Sequence, residues 1–238
     1  MTFFFEIKAG PGGKDSKNCT YILYKQYKNF FLNRKLIFET IEIKKTGKNQ
    51  VNYVLFEVKN KEGIEKYLKN EVGVHKIIRN SKFKKKENIQ TSLCYINFIP
   101  KIEKEEIKII KKEIKIDTFK SRGPGGQSVN KTNSAVRITH IPTGITAECQ
   151  KERSQHINIK IAKKKIIFKI SKTQDNKKGI GNINWSKSVR IYFLDKSLIV
   201  DNIYKKKTNK VKEFLNGNLD IIINENNRFR KSKKKRNK

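Results

Sequence analysis

The segment Gly123-Pro124-Gly125-Gly126-Gln127 carries the residue types in this chain that most directly suggest chemistry. Gly125 and Gly126 can adopt backbone angles that bring main-chain N–H groups close to a ligand, and Pro124 stiffens the approach to them. The side-chain amide of Gln127 has no useful pKa, so it can orient a water molecule but cannot act as a conventional base. Taken alone, these five residues also fit an ordinary exposed turn.

Basic and polar residues flank this glycine-rich segment. Lys120, Arg122 and Lys131 are suited to contacts with phosphate groups, and Asn130 offers a neutral hydrogen bond. Strand-like runs lie on either side, yet the segment itself has no apolar residues that would anchor it in a core. We therefore expect it to protrude from the fold.

A second glycine-rich string, Gly10-Pro11-Gly12-Gly13-Lys14, looks similar but does not meet the requirements of a Walker phosphate loop. That loop needs Ser or Thr after the Lys and a Gly five residues before the last Gly. Here those two positions hold Asp15 and Lys8. We interpret the string as a turn that leads into a helix beginning near Ser16.

The charge of the chain is strongly one-sided. Its 238 residues include 56 Lys and Arg against 22 Asp and Glu, which gives a formal net charge of +34. Only 9 of the basic residues are Arg, so a bias toward Lys codons contributes to the excess, but a field of this size still favours a nucleic-acid partner. No signal peptide and no transmembrane run is evident, and we therefore expect a cytoplasmic protein with no membrane partner.

The cysteines and histidines are scattered rather than clustered. Three cysteines without Cys-x-x-Cys spacing argue against both a disulfide framework and a structural zinc site. We predict small buried thiols, no metal and no cofactor. The residues concerned are Cys19, Cys94, Cys149, His75, His140 and His156.

The hydrophobic pattern predicts an α+β fold. The predicted strand over residues 92–100 is apolar on both faces and should be central in its sheet. The basic residues 228–238 show no apolar period and are predicted to be disordered. The other predicted strands are 3–8, 36–44, 53–59, 113–119, 135–140, 144–150 and 189–194, and the predicted helices are 16–34, 62–79 (interrupted at Gly73), 152–170 and 205–216.

Longer strings around these segments resemble the class I peptide chain release factors. They cover nearly the whole chain and are highly specific in the region of the second glycine-rich segment. The strings include Phe5-Glu6-Ile7-Lys8-Ala9-Gly10, Gly73-Val74-His75, Ile116-Asp117-Thr118-Phe119, Ser121-Arg122-Gly123-Pro124-Gly125-Gly126-Gln127-Ser128-Val129-Asn130-Lys131-Thr132, Arg137-Ile138-Thr139-His140-Ile141-Pro142-Thr143-Gly144 and Cys149-Gln150-Lys151-Glu152-Arg153-Ser154-Gln155-His156.

The resemblance implies two α+β domains. A codon-recognition domain is expected over residues 1–107, completed by about 184–220, and a peptidyl-tRNA hydrolysis domain over 108–183, followed by a basic tail over 221–238. The family's helical amino-terminal domain is expected to be absent, because the sequence starts where the codon-recognition domain starts.

The resemblance also implies the catalytic residues. Gly125, Gly126 and Gln127 would enter the ribosome's own active site, so that the chain promotes ester hydrolysis there rather than acting as a complete enzyme. The backbone N–H of Gln127 would face the oxyanion or leaving group, and its side chain would orient water. In the family this Gln is methylated on its side-chain nitrogen, which implies a glutamine methyltransferase as partner. Residues expected to bind rRNA or tRNA are Lys120, Arg122, Asn130, Lys131 and Arg137.

Codon reading is assigned by the resemblance to the first domain. Gly73-Val74-His75 would lie at a helix start, where backbone groups meet the first base. Asn80-Ser81-Lys82-Phe83 is similar to the Ser-Pro-Phe string of release factor 2, which accepts UAA and UGA, although Lys82 replaces the Pro. Gln90 stands where the family has a stacking His. The predicted codon-binding residues are Gly73, Val74, His75, Ser81, Phe83, Gln90 and Thr91.

The implied partners are the ribosome with the rRNA of both subunits, the mRNA stop codon and the peptidyl-tRNA of the P site, bound by a monomer. Two other functions remain open. A codon-independent ribosome-rescue hydrolase shares the Gly-Gly-Gln domain and a basic tail but lacks a codon-recognition domain. A non-catalytic RNA-binding module would use the charge alone.

Overall fold

The computed structural model describes residues 2–59, 64–81, 83, 88–101, 110–121, 132–177 and 185–223. The chain divides into two compact units. Unit 1 consists of Met1–Phe98 together with Asn182–Lys238, and unit 2 consists of Ile99–Gly181. The domain boundaries predicted near residues 107 and 183 lie outside the described residues. Among the helices that are described, none combines the length and apolar character needed to cross a membrane.

Unit 1 is built around a sheet of eight strands. Its elements are β1 Thr2–Ala9, α1 Lys14–Asn33, β2 Ile37–Gly47, β3 Gln50–Lys59, α2 Ile64–Lys69, β4 Gly73–Asn80, β5 Ile89–Pro100, β9 Ser188–Phe193, β10 Leu198–Asp201, β11 Lys206–Thr208, α4 Val211–Leu215 and α5 Asp220–Ile223. The strand order in the sheet is β11-β10-β9-β4-β5-β1-β3-β2. Strands β4 and β9 pair in parallel, which joins the part of unit 1 before unit 2 to the part after it.

The core of unit 1 lies between the central strands and α1. Phe3, Phe5 and Ile7 alternate along β1, as the period of a strand requires, and are at most 2% exposed. The ring of Phe5 lies 4.8 Å from that of Tyr27 and 5.7 Å from that of Phe31, both on α1. Aromatic packing thus fixes α1 against the sheet. The predicted central position of β5 is confirmed, since it lies between β4 and β1.

The first glycine-rich string forms the predicted turn before α1. Gly10 donates its N–H to the carbonyl oxygen of Leu93 at 2.7 Å, so β1 leaves the sheet in close contact with β5. A Cβ atom at Gly10 would lie 2.7 Å from that carbonyl oxygen, which explains the need for glycine. The hydroxyl of Ser16 bonds the carbonyl oxygens of both Gly10 and Leu93.

Unit 2 contains a three-stranded antiparallel sheet of β6 (Ile114–Phe119), β7 (Ala135–His140) and β8 (Thr146–Cys149), in that order, and one long helix, α3 (Gln155–Lys177). The buried residues Ala162, Ile166 and Ile170 lie four apart on α3, and the helix packs on β7 and β8. All three cysteines of the chain are buried, as predicted, and burial raises the pKa of the Cys94 thiol well above its usual range.

Two helical predictions were wrong. Residues 62–79 do not continue as helix after Gly73, because β4 begins there and pairs with both β5 and β9. Residues 205–216 were predicted to be one helix but contain β11 and only then the short helix α4. In both places pairing with strands from elsewhere in the chain outweighs the weak helical period of the local sequence. The strand β10 was not predicted, since four residues are too few to show a period.

Candidate functional site

The catalytic segment predicted from sequence lies outside the described residues. This applies to Gly125, Gly126 and Gln127 and equally to Arg122, Asn130 and Lys131. The structure does describe the two chain ends that border residues 122–131. There the hydroxyls of Ser121 and Ser134 are 2.6 Å apart, next to the last pair of the β6–β7 ladder, Phe119 and Ala135. The segment therefore starts and finishes at one end of a paired hairpin.

Asn158, a fully buried residue on α3, holds the second of these chain ends. Its side-chain amide donates to the carbonyl oxygen of Ser134 at 2.8 Å and to that of Glu152 at 2.7 Å. Its side-chain oxygen accepts from the N–H of Glu152 at 3.0 Å and from the thiol of Cys149 at 3.2 Å. The sequence analysis did not identify Asn158. It could have been found as a polar side chain among the apolar positions of a predicted helix, because a buried polar group must be hydrogen-bonded.

Two predicted RNA-binding residues belong to the same hairpin and are described. Lys120 is exposed at the end of β6, and Arg137 is exposed in the middle of β7. The guanidinium of Arg137 donates to Glu148 at 2.6 Å and lies 5.6 Å from the ring of Phe119. An ion pair this exposed contributes little to stability, so Arg137 remains available for a phosphate.

The other predicted site lies at the tip of the β4–β5 hairpin in unit 1. Ser81 follows β4, and its N–H donates to the carbonyl oxygen of Asn88, which precedes β5. The Ser81 hydroxyl lies 2.6 Å from a carboxylate oxygen of Asp15 and accepts the N–H of Phe83 at 3.1 Å. Because an ionised carboxylate can only accept, the hydroxyl proton of Ser81 points to Asp15.

Asp15 also binds Arg79, the last residue but one of β4. The guanidinium of Arg79 lies 3.4 Å from the other carboxylate oxygen of Asp15 and is only 5% exposed. The first turn of α1 therefore holds the hairpin tip through Ser81 and Arg79. Sequence reasoning assigned no role to Asp15, because 64 and 66 residues separate it from these two partners.

Gln90 and Thr91 lie on the other side of the same hairpin. In the ladder Arg79 pairs with Gln90, and Ile78 pairs with Thr91. The Gln90 amide donates to the side chain of Asn88 at 3.1 Å, and Thr91 is exposed. The structure thus brings Ser81, Phe83, Gln90 and Thr91 together on one tip.

Gly73, Val74 and His75 lie at the opposite end of β4. Eight residues of strand separate Gly73 from Ser81, a distance of about 26 Å. The prediction that these three residues begin a helix is wrong. The side chains of Val74 and His75 are 1% and 0% exposed, and Gly73 has a φ of +135° with Val189 directly against it. The structure does not bring this group to the hairpin tip.

His75 belongs instead to a buried charged cluster. Arg190 binds both carboxylate oxygens of Glu71, at 2.6 and 2.8 Å, and one of Asp201 at 2.6 Å. Tyr27 donates its hydroxyl to Glu71 at 2.5 Å. Burial alone would raise the pKa of Glu71, but the guanidinium of Arg190 outweighs this and lowers it. Three charges without solvent are tolerated because each is paired and hydrogen-bonded.

Comparison with known proteins relates this arrangement to one family. Residues 1–96 match the family model of the PCRF domain, and residues 102–212 match that of the RF-1 domain. Over 228 residues the chain is 35% identical to peptide chain release factor 1 of Borrelia turicatae, which covers 92% of this chain and 64% of that relative. The chain belongs to the class I peptide chain release factors. The resemblance stated from the motifs is thereby confirmed.

The subtype within the class I release factors is not decided by these relatives. Peptide chain release factor 2 of Nautilia profundicola is 36% identical over 226 residues, covering 91% of this chain and 61% of the relative. RF2 of Thermus thermophilus, a solved structure, has a TM-score of 0.76 and 29% identity, covering 93% of this chain and 66% of that one. The chain therefore spans less than two thirds of the length of these three relatives, 61% to 66%. A closer likeness to release factor 2 than to release factor 1 stays a prediction.

Acid should destabilise unit 1 of this release factor chain through His75. Burial, with the nearby charge of Arg190, lowers the pKa of His75 to about 4. The unfolded chain therefore takes up a proton near pH 6.5 that the folded chain binds only near pH 4. The free energy of unfolding should fall as the pH decreases through this window, by up to roughly 3 kcal/mol.

The measurement is urea unfolding between pH 7 and pH 4, followed by the fluorescence of Trp185, the single Trp of the chain, which lies in unit 1. His75→Gln should remove the loss that occurs between pH 6.5 and pH 4, whereas His156→Gln, at an exposed position of α3, should not. An identical pH slope in wild type and His75→Gln would contradict this assignment.

Proposed function

We propose that the chain terminates translation by reading a stop codon in the ribosomal A site and promoting hydrolysis of the peptidyl-tRNA ester. The observation that carries this proposal is the β4–β5 hairpin tip, where Asp15 holds Ser81 in a defined orientation at an exposed end of unit 1. A polar side chain held in one orientation is suited to recognising a base, which favours codon reading over codon-independent action. Its place of action is proposed to be the cytoplasm, with the ribosome, the mRNA and the peptidyl-tRNA as partners.

The Ser81 hydroxyl is proposed to face the second codon base. In the structure its proton is directed to Asp15 and one lone pair accepts the N–H of Phe83, which leaves a single lone pair that can accept from the N6 amino group of adenine. Guanine has the acceptor O6 at the position of that amino group, so the hydroxyl must turn its proton from Asp15 to the base to read G. Because a hydroxyl can both accept and donate, and because Asn80-Ser81-Lys82-Phe83 is similar to the string of release factor 2, we propose UAA and UGA as the codons read.

Thr91 is proposed to address the third base and Gln90 to lie between codon bases, because both residues belong to the same tip as Ser81. Gln90 offers amide hydrogen bonds and less stacking area than an aromatic ring, so it should contribute less to base stacking than a His would. His75 and Val74 are proposed to stabilise the interior of unit 1, at the end of β4 away from the tip, rather than to contact a base.

The hydrolytic end is proposed to be Gly125-Gly126-Gln127 in unit 2. Water attacks the ester carbonyl, the ribose oxygen leaves with a proton, and the peptide is released as a carboxylic acid. The backbone N–H of Gln127 stabilises the oxyanion or the leaving oxygen, and its side chain orients the water. Lys120, Arg122, Asn130, Lys131 and Arg137 are proposed to hold the surrounding RNA, and a glutamine methyltransferase to modify Gln127.

Release of a model peptide from ribosomes tests this proposal. The A site is programmed with UAA, UAG, UGA or no codon, and release is measured against factor concentration. We expect release on UAA and UGA only. Equal release on all four templates would instead identify a codon-independent rescue hydrolase, and release on UAG without UGA would contradict the proposed codon set.

The same panel with Asp15→Ala tests the role of the hairpin tip. Without the carboxylate, the Ser81 hydroxyl is free to rotate and Arg79 loses its partner, so codon discrimination should weaken while release on UAA persists at high factor concentration. The matched control is Asp117→Ala, which removes a half-exposed carboxylate from β6 of unit 2. A pattern of release identical in both variants contradicts a reading role for the tip.

A further inference from the structure

The hairpin formed by β2 and β3 ends in a cluster of exposed lysines. Lys44 and Lys45 are the basic residues at the end of β2, and Lys48 lies in the two-residue turn that follows Gly47. All three are exposed, and the turn closes at Asn49, whose φ is +58°. Asparagine tolerates this left-handed backbone better than most residues.

This hairpin end is held against α1 rather than left free. The side-chain amide of Asn18 donates to the carbonyl oxygen of Asn49 at 2.7 Å, and Asn18 is only 9% exposed. Asn18 lies one turn after Asp15, the residue that binds Ser81. The first two turns of α1 therefore connect two hairpin tips, one with Ser81 and one with the lysines.

Two lysines of α1 extend the cluster. Lys14 is exposed at the start of the helix, and Lys17 is half-exposed beside Asn18. We call Lys14, Lys17, Lys44, Lys45 and Lys48 the lysine cluster. It lies at the same end of α1 as the proposed codon-reading tip.

Few carboxylates compensate the lysine cluster. Among the residues that the structure describes, only Glu42 reaches it, at 4.0 Å from the ammonium nitrogen of Lys44. The carboxylate of Asp15, the nearest acid in sequence to Lys14, already binds Arg79 and Ser81. Like charges on one end of the unit repel one another, and a bound polyanion would relieve that repulsion.

We propose that the lysine cluster binds the sugar–phosphate backbone of RNA next to the codon. Lysines placed on a pinned hairpin are suited to phosphate contacts, which position a protein without reading sequence. Pairing of β2 with a strand of another protein is disfavoured, because the ladder has register shifts at Lys44, Lys45 and Gly47 and the edge carries lysines. The proposal rests on the proposed function for the place of the RNA, since it assumes that the Ser81 tip faces a codon.

The test replaces the three hairpin lysines together, as Lys44→Gln, Lys45→Gln and Lys48→Gln. Binding of the full chain to codon-programmed ribosomes is measured across salt concentrations. We expect about 10- to 100-fold weaker binding near 0.1 M salt, and a slope of log affinity against log salt that is smaller by about two to three, because each lost phosphate contact removes about 0.7 to 0.9 from the slope.

The control has the same change in net charge at lysines far from the hairpin, Lys28→Gln, Lys207→Gln and Lys212→Gln, all exposed. It should keep the wild-type slope. Equal losses in both triple variants would show generic attraction and overturn the proposal, as would an unchanged slope in the hairpin variant. At saturating factor the hairpin variant should release peptide at the wild-type rate.

Failure of the proposed function remains distinguishable from failure of this inference. If the wild-type chain releases no peptide, termination is refuted, while the comparison of ribosome affinities still decides whether the lysine cluster binds RNA. Messenger RNAs that end directly after the codon separate the two RNA sources. If the loss in affinity disappears on them the phosphates belong to the mRNA after the codon, and if it persists they belong to rRNA or to the codon itself.

Discussion

Replacing Gln127 by proline should reduce peptide release at saturating factor by about 10²- to 10³-fold, the usual cost of losing one donor to a developing oxyanion. Proline has no backbone N–H, so this change removes the donor that the proposed mechanism assigns to position 127. Binding to the ribosome should be almost unchanged, since the phosphate contacts lie on other residues. The measurement is the rate of release from UAA-programmed ribosomes, together with the affinity for the same complexes.

Gln127→Ala is the matched variant, because it keeps the N–H and removes only the side-chain amide. It should release peptide more slowly than the wild type, through poorer orientation of water, but faster than Gln127→Pro. If alanine were as damaging as proline, the side chain would be the essential group and the backbone assignment would be wrong. If neither change affected release, the chain would be an RNA-binding module without a catalytic role.

Replacing Arg190 by methionine should lower the free energy of unfolding of unit 1 by about 3–5 kcal/mol, the range found when one partner of a buried ion pair is removed. Arg190, Glu71 and Asp201 are all 0% exposed, so the change leaves two buried carboxylates without a cation. A loss of this size corresponds to a melting temperature lower by roughly 10 °C. Thermal and urea unfolding followed by Trp185 fluorescence measure it.

Arg34→Met provides the control within unit 1. Arg34 pairs with Asp220, but the two side chains are 33% and 32% exposed, so the loss should stay below about 1 kcal/mol. A second readout is pH. Burial raises the pKa of Glu71 once the guanidinium of Arg190 is gone, so the loss in Arg190→Met should shrink between pH 7 and pH 5 as Glu71 takes up a proton. A loss independent of pH would mean that Arg190 acts by packing on Phe214, whose ring lies 4.8 Å away, and not by charge.

Local elements were largely predictable from the sequence because they depend on neighbouring residues. The strand-like run Phe3-Phe4-Phe5-Glu6-Ile7 indicated β1, and the helical spacing of Leu23, Tyr27, Phe30 and Phe31 indicated α1; both are confirmed. The prediction failed at Gly73–Asn80, where the residues have no strong period of their own. Strand pairing on both sides decides their conformation, and no window of neighbouring residues contains that information.

The candidate sites likewise contain some features that the sequence predicts and others that only the fold creates. The glycine-rich segment and its flanks were recognisable because the chemistry resides in consecutive residues, whereas the support of the hairpin tip was not. Asp15 and Ser81 are 66 residues apart, and Glu71 and Arg190 are 119 apart, so only folding places their charges and hydroxyls within hydrogen-bond distance. For His75 the sequence showed the family motif, but it did not show that the side chain is buried.

The sequence by itself thus determined the α+β class, the release factor family and the identity of the proposed catalytic tripeptide, all of which follow from residue types in consecutive positions. Only the tertiary structure decided that α1 connects the Ser81 tip with the lysine cluster, that the proton of Ser81 points to Asp15, and that Val74 and His75 belong to the interior. These features depend on contacts between distant segments. Such contacts form because burying the aromatic face of α1 against β1 and β3 brings those segments together.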